Sequence, residues 1–572
     1  MTDDSGPRST PAAAESGAAT ILYLAAVCLF PSIILWRQDN ILFTGYGYID
    51  PWVYFGYFRN LVEFKRSLLP GNQYGDYLSW ILPGAAVHKL FAPLAANCIL
   101  HLGVHTLGGV SLFLTLKWVV GARRAFAAAM LFSLNPWFTF ATAWDYADGI
   151  GIAYCLLTMA LLTWAAIAPV RRWALVAAGM ALAALVYSNA EWIMLSPLLP
   201  LYYLGLARAW HGTSPVRSFF VLCRWFGLGC VVVTVAFAAI NYWLEGRFPF
   251  YAAPALEALH RVGPPAPWWQ GLWRDGAPSL WLAFPIAAAA ASAAVLVGEG
   301  RRALRSTTGA ALFSWLFLAA LAWMIGRQIL GNPALGVPYH ASILLPFSFL
   351  AIGARFWPEL ETARLRNYVL FCCVAAVVLG YAWHDEGTQL ASGLPFPFWM
   401  GLAALAASLL LRLAPEAAIS GLGGFFVFTA LGVVPCYIAV DAHGYRQQYQ
   451  ALCRARERLE AVRQGRPVRF WYDHKDRTTA DAVALASTYF WDATLSRSFS
   501  APPCGQDQAP STIVAAIGPD ASHGADFVAS ALTACWSAKG LRVVPVETDV
   551  IQRGASSYRL SLLRVERIAG TP

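Results

Sequence analysis

From residue 18 to residue 440 the chain alternates long apolar stretches with short polar connections. Most stretches run for about 17 to 25 residues, long enough for an α-helix to cross roughly 30 Å of hydrocarbon. The pattern predicts about thirteen spans, at 18–36, 94–118, 124–141, 150–168, 173–188, 191–207, 224–243, 280–298, 309–329, 339–355, 367–383, 397–412 and 419–440. Alternate connections are arginine-rich: Arg123/Arg124, Arg171/Arg172, Arg208/Arg217/Arg224, Arg301/Arg302/Arg305 and Arg355/Arg364/Arg366. The positive-inside rule puts these in the cytoplasm. The N-terminus is then cytoplasmic, and the loops 38–93, 144–149, 244–279 and 330–338 face outward with everything after residue 440.

Two segments break the simple alternation. From Pro51 to Leu69, Trp52, Phe55, Phe58, Val62 and Leu69 recur at helical spacing while Arg59, Glu63 and Arg66 take another face, which predicts a helix lying in the interface plane. A second such segment, 76–92, is expected to be interrupted at Pro83–Gly84. Beyond residue 440 the pattern changes again. A polar, arginine-rich helix at 446–466 precedes strand-like 467–473, 511–518, 541–546 and 557–566 and helical stretches near 478–490 and 524–538. This alternation predicts a small α/β domain over 441–572, outside the membrane. The fold class expected is an α-helical polytopic membrane protein carrying a small C-terminal extracytoplasmic α/β domain.

Composition agrees: 58% of the 572 residues are hydrophobic, 13% are charged, and mean hydropathy is +0.51, more apolar surface than a water-soluble core can bury. The net charge of +9 follows largely from the cytoplasmic arginines, and no basic stripe with interleaved aromatics argues for nucleic acid. Residues 1–17 are small and polar and read as disordered. The apolar run after them lacks a basic leader and a small-residue cleavage site, so it reads as a retained span. Eight of the eleven cysteines lie in or beside spans; of the other three, Cys504 with Cys535 is the preferred disulfide and Cys453 is left over.

Carboxylates near the membrane are costly, so each outward one needs a reason. Asp50 stands among seven aromatic rings in "GYGYIDPWVYFGYFRN", where Asp-Pro is also a helix start. Asp145 and Asp148 fall in "WDYADG", where a tight turn would itself call for polar residues and glycine. Together the three could hold a hard divalent cation, Mg2+ or Mn2+, through oxygen, or one could act as general base while the others orient an acceptor. Either role suits transfer of a group from a phosphate leaving group. Cations to receive that charge are Arg327, His340 and Arg247, together with His260 and Arg261 beside Trp268 and Trp269. Glu191, at the start of a span, could line the same cavity, and Trp52 and Tyr54 on the helix that Asp50 begins are candidate substrate contacts. His101 and His105 lie four apart without a third ligand and read as interior histidines. "WYDHKD" (471–476) reads as a polar turn.

This arrangement resembles the GT-C superfamily of membrane glycosyltransferases. "IDPWVYFGYFRN" is similar to the first-loop Asp-Pro-Trp segment of oligosaccharyltransferase catalytic subunits, and "WDYADGIGIA" to their second acidic loop. The resemblance implies a polyprenyl-phosphate-linked sugar donor used at the outer face of the membrane, with Asp50 as base or metal-coordinating acid and Asp145 and Asp148 as its partners. The Trp-Trp-Asp-Tyr-Gly motif by which that family reads an acceptor peptide is missing, which points to a hydroxyl on a glycan, lipid or protein as acceptor. The expected enzyme is an integral-membrane glycosyltransferase; the alternative is a transporter or flippase of lipid-linked glycans. Transporters usually place ionisable groups at mid-membrane between similar halves, and neither is evident in the sequence.

Overall fold

A computed structural model describes residues 17–37, 50–68, 73–133, 135–143, 147–167, 172–211, 214–248, 251–252, 254–256, 273–274, 277–278, 285–286, 288–289, 292–293, 309–331, 335, 338–355, 457–466, 468–472, 494–496, 513–519, 533–534, 536–537, 540–553 and 556–568. The expected spans 367–383, 397–412 and 419–440, the helix 478–490 and the cysteine pair Cys504/Cys535 lie outside the described residues.

The chain enters as α1 (Gly17–Arg37) and continues through α2 (Asp50–Arg59), α3 (Leu61–Glu63) with a π-helical turn over Phe64–Leu68, and α4 (Leu78–Leu90). The bundle proper comprises α5 (Pro93–Val120), α6 (Ala122–Ser133), α7 (Pro136–Ala143), α8 (Ala147–Ile167), α9 (Arg172–Val186), the short α10 (Trp192–Leu195), α11 (Leu198–His211) and α12 (Pro215–Glu245). After α13 (Gly309–Ile329) come α14 (Pro338–Ala341), a 3-10 turn and α15 (Leu345–Arg355). Among the described residues four helices, within α5, α8, α12 and α13, are long and apolar enough to cross a membrane, and α1, α9 and α15 include shorter apolar helices. The chain is a multi-pass membrane protein.

Two expected spans are broken, each at a proline. Residues 124–141 divide into α6 and α7, where Asn135 accepts the Phe138 N–H at 3.1 Å on its side-chain oxygen and Pro136 opens the new helix. Residues 191–207 divide at Ser196–Pro197 into α10 and α11.

The first long loop also departs from expectation. α2 is covered by protein on several faces, since Val53, Tyr54, Phe55, Tyr57 and Phe58 are all buried. Several of them share a cluster with Trp80 and Ile81 of α4, Leu100 and Val104 of α5, and Ile150 and Ala153 of α8. Nor is α4 interrupted at Pro83–Gly84. Pro83 cannot donate to the Ser79 carbonyl four residues back, and the Tyr154 hydroxyl of α8 donates to that oxygen at 3.1 Å, so the helix continues without an orphan acceptor. A Cβ on Gly84 would stand 2.2 Å from the Phe58 ring, so the glycine is the seat for α2.

α9 and α12 approach each other backbone to backbone. A Cβ on Gly179 would meet the Phe226 carbonyl oxygen at 2.0 Å, and one on Gly229 would meet the Val176 carbonyl oxygen at 2.0 Å. Reciprocal glycines let two helices touch backbone to backbone, the packing that small residues favour in membranes.

Near the C-terminus the sheet order is β4-β3-β5-β7-β6, from β3 (Val468–Tyr472), β4 (Thr494–Ser496), β5 (Ile513–Pro519), β6 (Leu541–Arg553) and β7 (Ser556–Arg567); a two-residue hairpin, β1 (Trp273–Arg274) with β2 (Ala277–Pro278), stands apart. β3 pairs in parallel with β4 and β5, and the remaining pairs are antiparallel. The four expected strands are present, β6 runs seven residues further than expected, and β4 was not anticipated. Pro545 falls on the edge strand at a register shift between Pro545 and Glu547, where a missing N–H is tolerated.

Candidate functional site

At one end of the bundle, polar side chains from distant parts of the sequence meet in two buried groups. The first begins at α8. Gly149 packs where a Cβ would lie 2.6 Å from the Thr142 backbone, so the turn from α7 into α8 closes tightly, with Asp148 in the first turn of α8. A carboxylate there is favoured by the helix's unpaired N–H groups. Asp148 is buried, and Asn189 donates its side-chain N–H to Asp148 Oδ1 at 2.8 Å. The same Asn189 accepts the Glu191 backbone N–H at 2.9 Å.

Glu191 carries the network onward. It receives Arg327 in a forked pair, Nη1 to Oε2 at 3.1 Å and Nη2 to Oε1 at 3.3 Å. His340 Nδ1 lies 3.0 Å from Glu191 Oε1. Burial alone would raise the Glu191 pKa, but the hydrogen bond and charge of His340, with Arg327 behind them, outweigh it and hold the carboxyl down at about 2. One acid is thus clamped between two bases, and a single buried asparagine ties it to Asp148.

The second group gathers around Lys65, which is fully buried in the π-helical turn. Its Nζ lies 3.5 Å from Asp76 Oδ1 and 3.2 Å from Glu245 Oε1, and it donates to the side-chain oxygen of Asn241. A Cβ on Gly75 would stand 2.9 Å from the Tyr57 hydroxyl, so the chain can pass this close only as glycine. Beside it Arg66 donates to the Leu244 and Trp243 carbonyls, both at 3.0 Å, and so caps the last turn of α12. Burial raises the Asp76 pKa to about 6 despite Lys65, with Glu245 adding to the rise. Leu78, Ala190, Ala238 and Tyr251 share a buried cluster, which places the two ionic groups at the same end of the molecule.

The expected site residues distribute as follows. Glu191, Arg327, His340 and Asp148 come together in the first group. Arg247 is exposed and belongs with the second, where its charge lowers the pKa of Asp76. Asp50 is the first residue of α2 with Pro51 behind it, as a helix start requires; its side chain, that of Trp52 and the whole of Asp145 lie outside the described residues. Tyr54 is fully buried, edge-on to Tyr74 with centroids 5.5 Å apart, which makes it a packing residue of the loop as well. His101 and His105 are interior histidines, stacked on Trp80 and Phe138. Among the described residues no three His, Cys, Asp or Glu side chains gather as a metal centre would need, and one oxygen of Asp148 is already engaged by Asn189.

Asn189, Lys65, Asp76 and Glu245 were not anticipated as site residues. "SNAE" carries a weak signal, a polar run at a membrane boundary, whereas Lys65 sits in the sequence between the charges Glu63 and Arg66 with nothing to set it apart.

No protein-family model matches the chain, and no curated protein sequence matches it. Among solved structures it is similar to ArnT from Cupriavidus metallidurans bound to undecaprenyl phosphate, at 14% identity and a TM-score of 0.60, over 97% of this chain and 100% of that one. The apo state of the same protein gives 15% identity and a TM-score of 0.56, over 98% and 100%. The likeness to the apo oligosaccharyltransferase of Archaeoglobus fulgidus, at 14% identity and a TM-score of 0.46 over 85% of this chain and 66% of that one, is too slight to argue from. The chain has the GT-C fold that the sequence resemblance implied.

Proposed function

We propose that this protein is a GT-C glycosyltransferase that moves a sugar from a polyprenyl-phosphate donor to an acceptor hydroxyl at the extracytoplasmic face of a bacterial inner membrane. The observation that carries the reading is the Asp148–Asn189–Glu191 chain ending on Arg327 and His340, an acid and a pair of bases held at fixed separation in a GT-C fold. In this reading the N-terminus is cytoplasmic, and the C-terminal sheet stands outside with the site.

Asp50 takes the proton from the acceptor hydroxyl, whose oxygen attacks the anomeric carbon. The bond from that carbon to the phosphate oxygen breaks, its electron pair leaves with the lipid phosphate, and the configuration inverts. Arg327 and His340 receive the charge that develops on the phosphate. A guanidinium offers five N–H donors, and Glu191 engages two of them in a fork, which orients the plane and leaves capacity for phosphate oxygens. Asp145 and Asp148 orient the acceptor or, with Asp50, supply oxygens to Mg2+ or Mn2+, which would stabilise the leaving phosphate.

The test is transfer in reconstituted membranes with labelled polyprenyl-phosphate sugars. Asp50→Asn is expected to abolish transfer while the protein keeps its melting temperature and still binds undecaprenyl phosphate. Near-normal transfer would remove Asp50 from the chemistry. Transfer that survives exhaustive chelation would remove the metal from Asp50, Asp145 and Asp148.

A further inference from the structure

The ends of α9 and α12 remote from both ionic groups carry a different charge pattern. α9 leads from Arg172 to the turn that holds Glu191, and α12 leads from Pro215 to Glu245 beside Lys65, so Arg172 and Arg224 stand towards the opposite end of the bundle. From Gly149 to Leu244 the sequence holds five arginines, and Glu191 is its one acid. Arg172 and Arg224 are exposed, and their guanidinium carbons stand 5.3 Å and 5.0 Å from the centroid of the same half-buried ring, that of Trp225. Among the described residues neither has a carboxylate partner. Like charges gathered on one ring repel each other, and Arg172 opens α9, where the helix dipole disfavours a cation. The glycine contact holds them there: Val176 and Gly229, which meet backbone to backbone, lie one turn beyond Arg172 and Trp225. Two repelling cations fixed without an acid suit an anion.

The surroundings are those of a membrane boundary. Arg224 interrupts an exposed apolar stripe of α12 that runs through Val216, Phe220, Leu228, Val231 and Val235. With 31 residues α12 is about 46 Å long, more than the roughly 30 Å of hydrocarbon, so the turns before Arg224 project into the headgroup layer. On the α9 side Trp173 is exposed and meets Trp164 edge-on with centroids 4.4 Å apart, and Trp164 stacks on Trp118 at 6.3 Å. Such rings mark the interface of a bilayer. An anion that reaches the two guanidiniums along this stripe brings acyl chains with it.

We propose that Arg172, Arg224 and Trp225 hold the phosphodiester headgroup of an anionic phospholipid, with its acyl chains laid along the exposed stripe of α12. The guanidiniums donate to the phosphate oxygens, and Trp225 keeps both at one place. A bound headgroup removes the repulsion between them and so stabilises the α9–α12 pair. In the orientation proposed for transfer the lipid belongs to the cytoplasmic leaflet, and its binding involves none of the residues that handle sugar.

The test titrates the full-length protein in neutral detergent with phosphatidylglycerol or phosphatidylcholine and follows the melting temperature, while native mass spectrometry counts retained lipids. A ligand of the folded state raises the melting temperature by mass action. Phosphatidylglycerol is expected to raise it, and the double variant Arg172→Gln/Arg224→Gln to weaken the apparent affinity on the order of tenfold, to that of phosphatidylcholine. Trp225→Leu keeps both charges and is expected to lose about threefold. Arg208→Gln removes an exposed arginine from the same end of the bundle, where His211 of α11 reaches the Ala166 carbonyl of α8, and is expected to leave the affinity unchanged.

No rise in the wild type, or unaltered affinity in the double variant or in Trp225→Leu, overturns the site. An equal loss in Arg208→Gln replaces it with general surface charge. Glycerol phosphate giving the same protection without acyl chains assigns the arginines to a soluble phosphate and overturns the lipid. Affinity for undecaprenyl phosphate is expected to stay within about threefold in the double variant; a parallel loss there makes the arginines part of the donor site and overturns a separate one. Failure of the wild type to bind undecaprenyl phosphate or to transfer sugar, with the phosphatidylglycerol shift intact, overturns the functional reading alone.

Discussion

The two buried ionic groups are built from the same parts in opposite proportion. Around Glu191 one carboxylate meets two bases, and its pKa is pushed down to about 2. Around Lys65 one ammonium meets two carboxylates, and the Asp76 pKa is pushed up to about 6. In the first group the Arg327 guanidinium carries N–H donors beyond the two that Glu191 engages, which suits an anionic ligand. In the second, Lys65 is fully buried between two carboxylates and the Asn241 oxygen; it fastens the first long loop to the end of α12, with Arg66 capping the same helix end. Proximity of charges at a membrane boundary is thus a poor guide to function until the partners have been counted.

The largest effect expected is structural. Lys65→Met leaves Asp76 and Glu245 buried without their cation, and such a break costs about 3–5 kcal/mol, measured by thermal or denaturant unfolding in detergent. If the comparison holds, the surviving folded fraction still binds undecaprenyl phosphate; loss of that binding with melting unchanged would merge the two groups into one site. Arg327→Ala should give the converse. Its stability cost is smaller, since His340 still faces Glu191, while affinity for undecaprenyl phosphate falls on the order of tenfold, as expected for a charge-assisted fork, measured by titration.

The pH dependences sharpen the contrast, because the two groups run in opposite directions. Asp76 has a raised folded pKa, so its contribution to stability is complete below its usual 3.8 and is lost as pH rises through about 6. Glu191 has a depressed folded pKa, so its contribution is present above its usual 4.5 and is lost as pH falls towards about 2. Melting temperature measured against pH should therefore flatten between pH 4 and 6.5 in Asp76→Asn, and below pH 4.5 in Glu191→Gln. The smallest effect expected is that of Arg66→Ala, about 1 kcal/mol for hydrogen bonds near the surface, with no change in ligand affinity.

Much of the fold was legible because a span announces itself by length alone. α5 and α13 lie within a few residues of the expected limits, α12 begins nine residues earlier, and four strands of the C-terminal sheet fall on the strand-like runs that announced them. What could not be read depends on partners remote in sequence. Pro83 forecast a break, and the Tyr154 hydroxyl, 75 residues beyond the Ser79 carbonyl that it satisfies, explains why α4 runs through it. The helical wheel of α2 forecast one covered face, yet protein covers several. Arg327 has no acid near it in sequence; its carboxylate comes from 136 residues earlier. Asp148 and Glu191 were legible as candidates because membranes make carboxylates conspicuous, while Asn189, uncharged, carried no such mark.

The glycine contact between α9 and α12 has a mechanical consequence. Helices joined backbone to backbone at Gly179 and Gly229 have no side-chain cushion through which to slide, so they behave as one beam. The turn that holds Asn189 and Glu191 leaves the end of α9, and the carboxylate that meets Lys65 closes the end of α12, so both ionic groups hang from that beam. Arg327 is carried by α13, outside that pair, so on the proposed reading room for a lipid phosphate beside Glu191 would come from a shift of α13 against the glycine-joined helices.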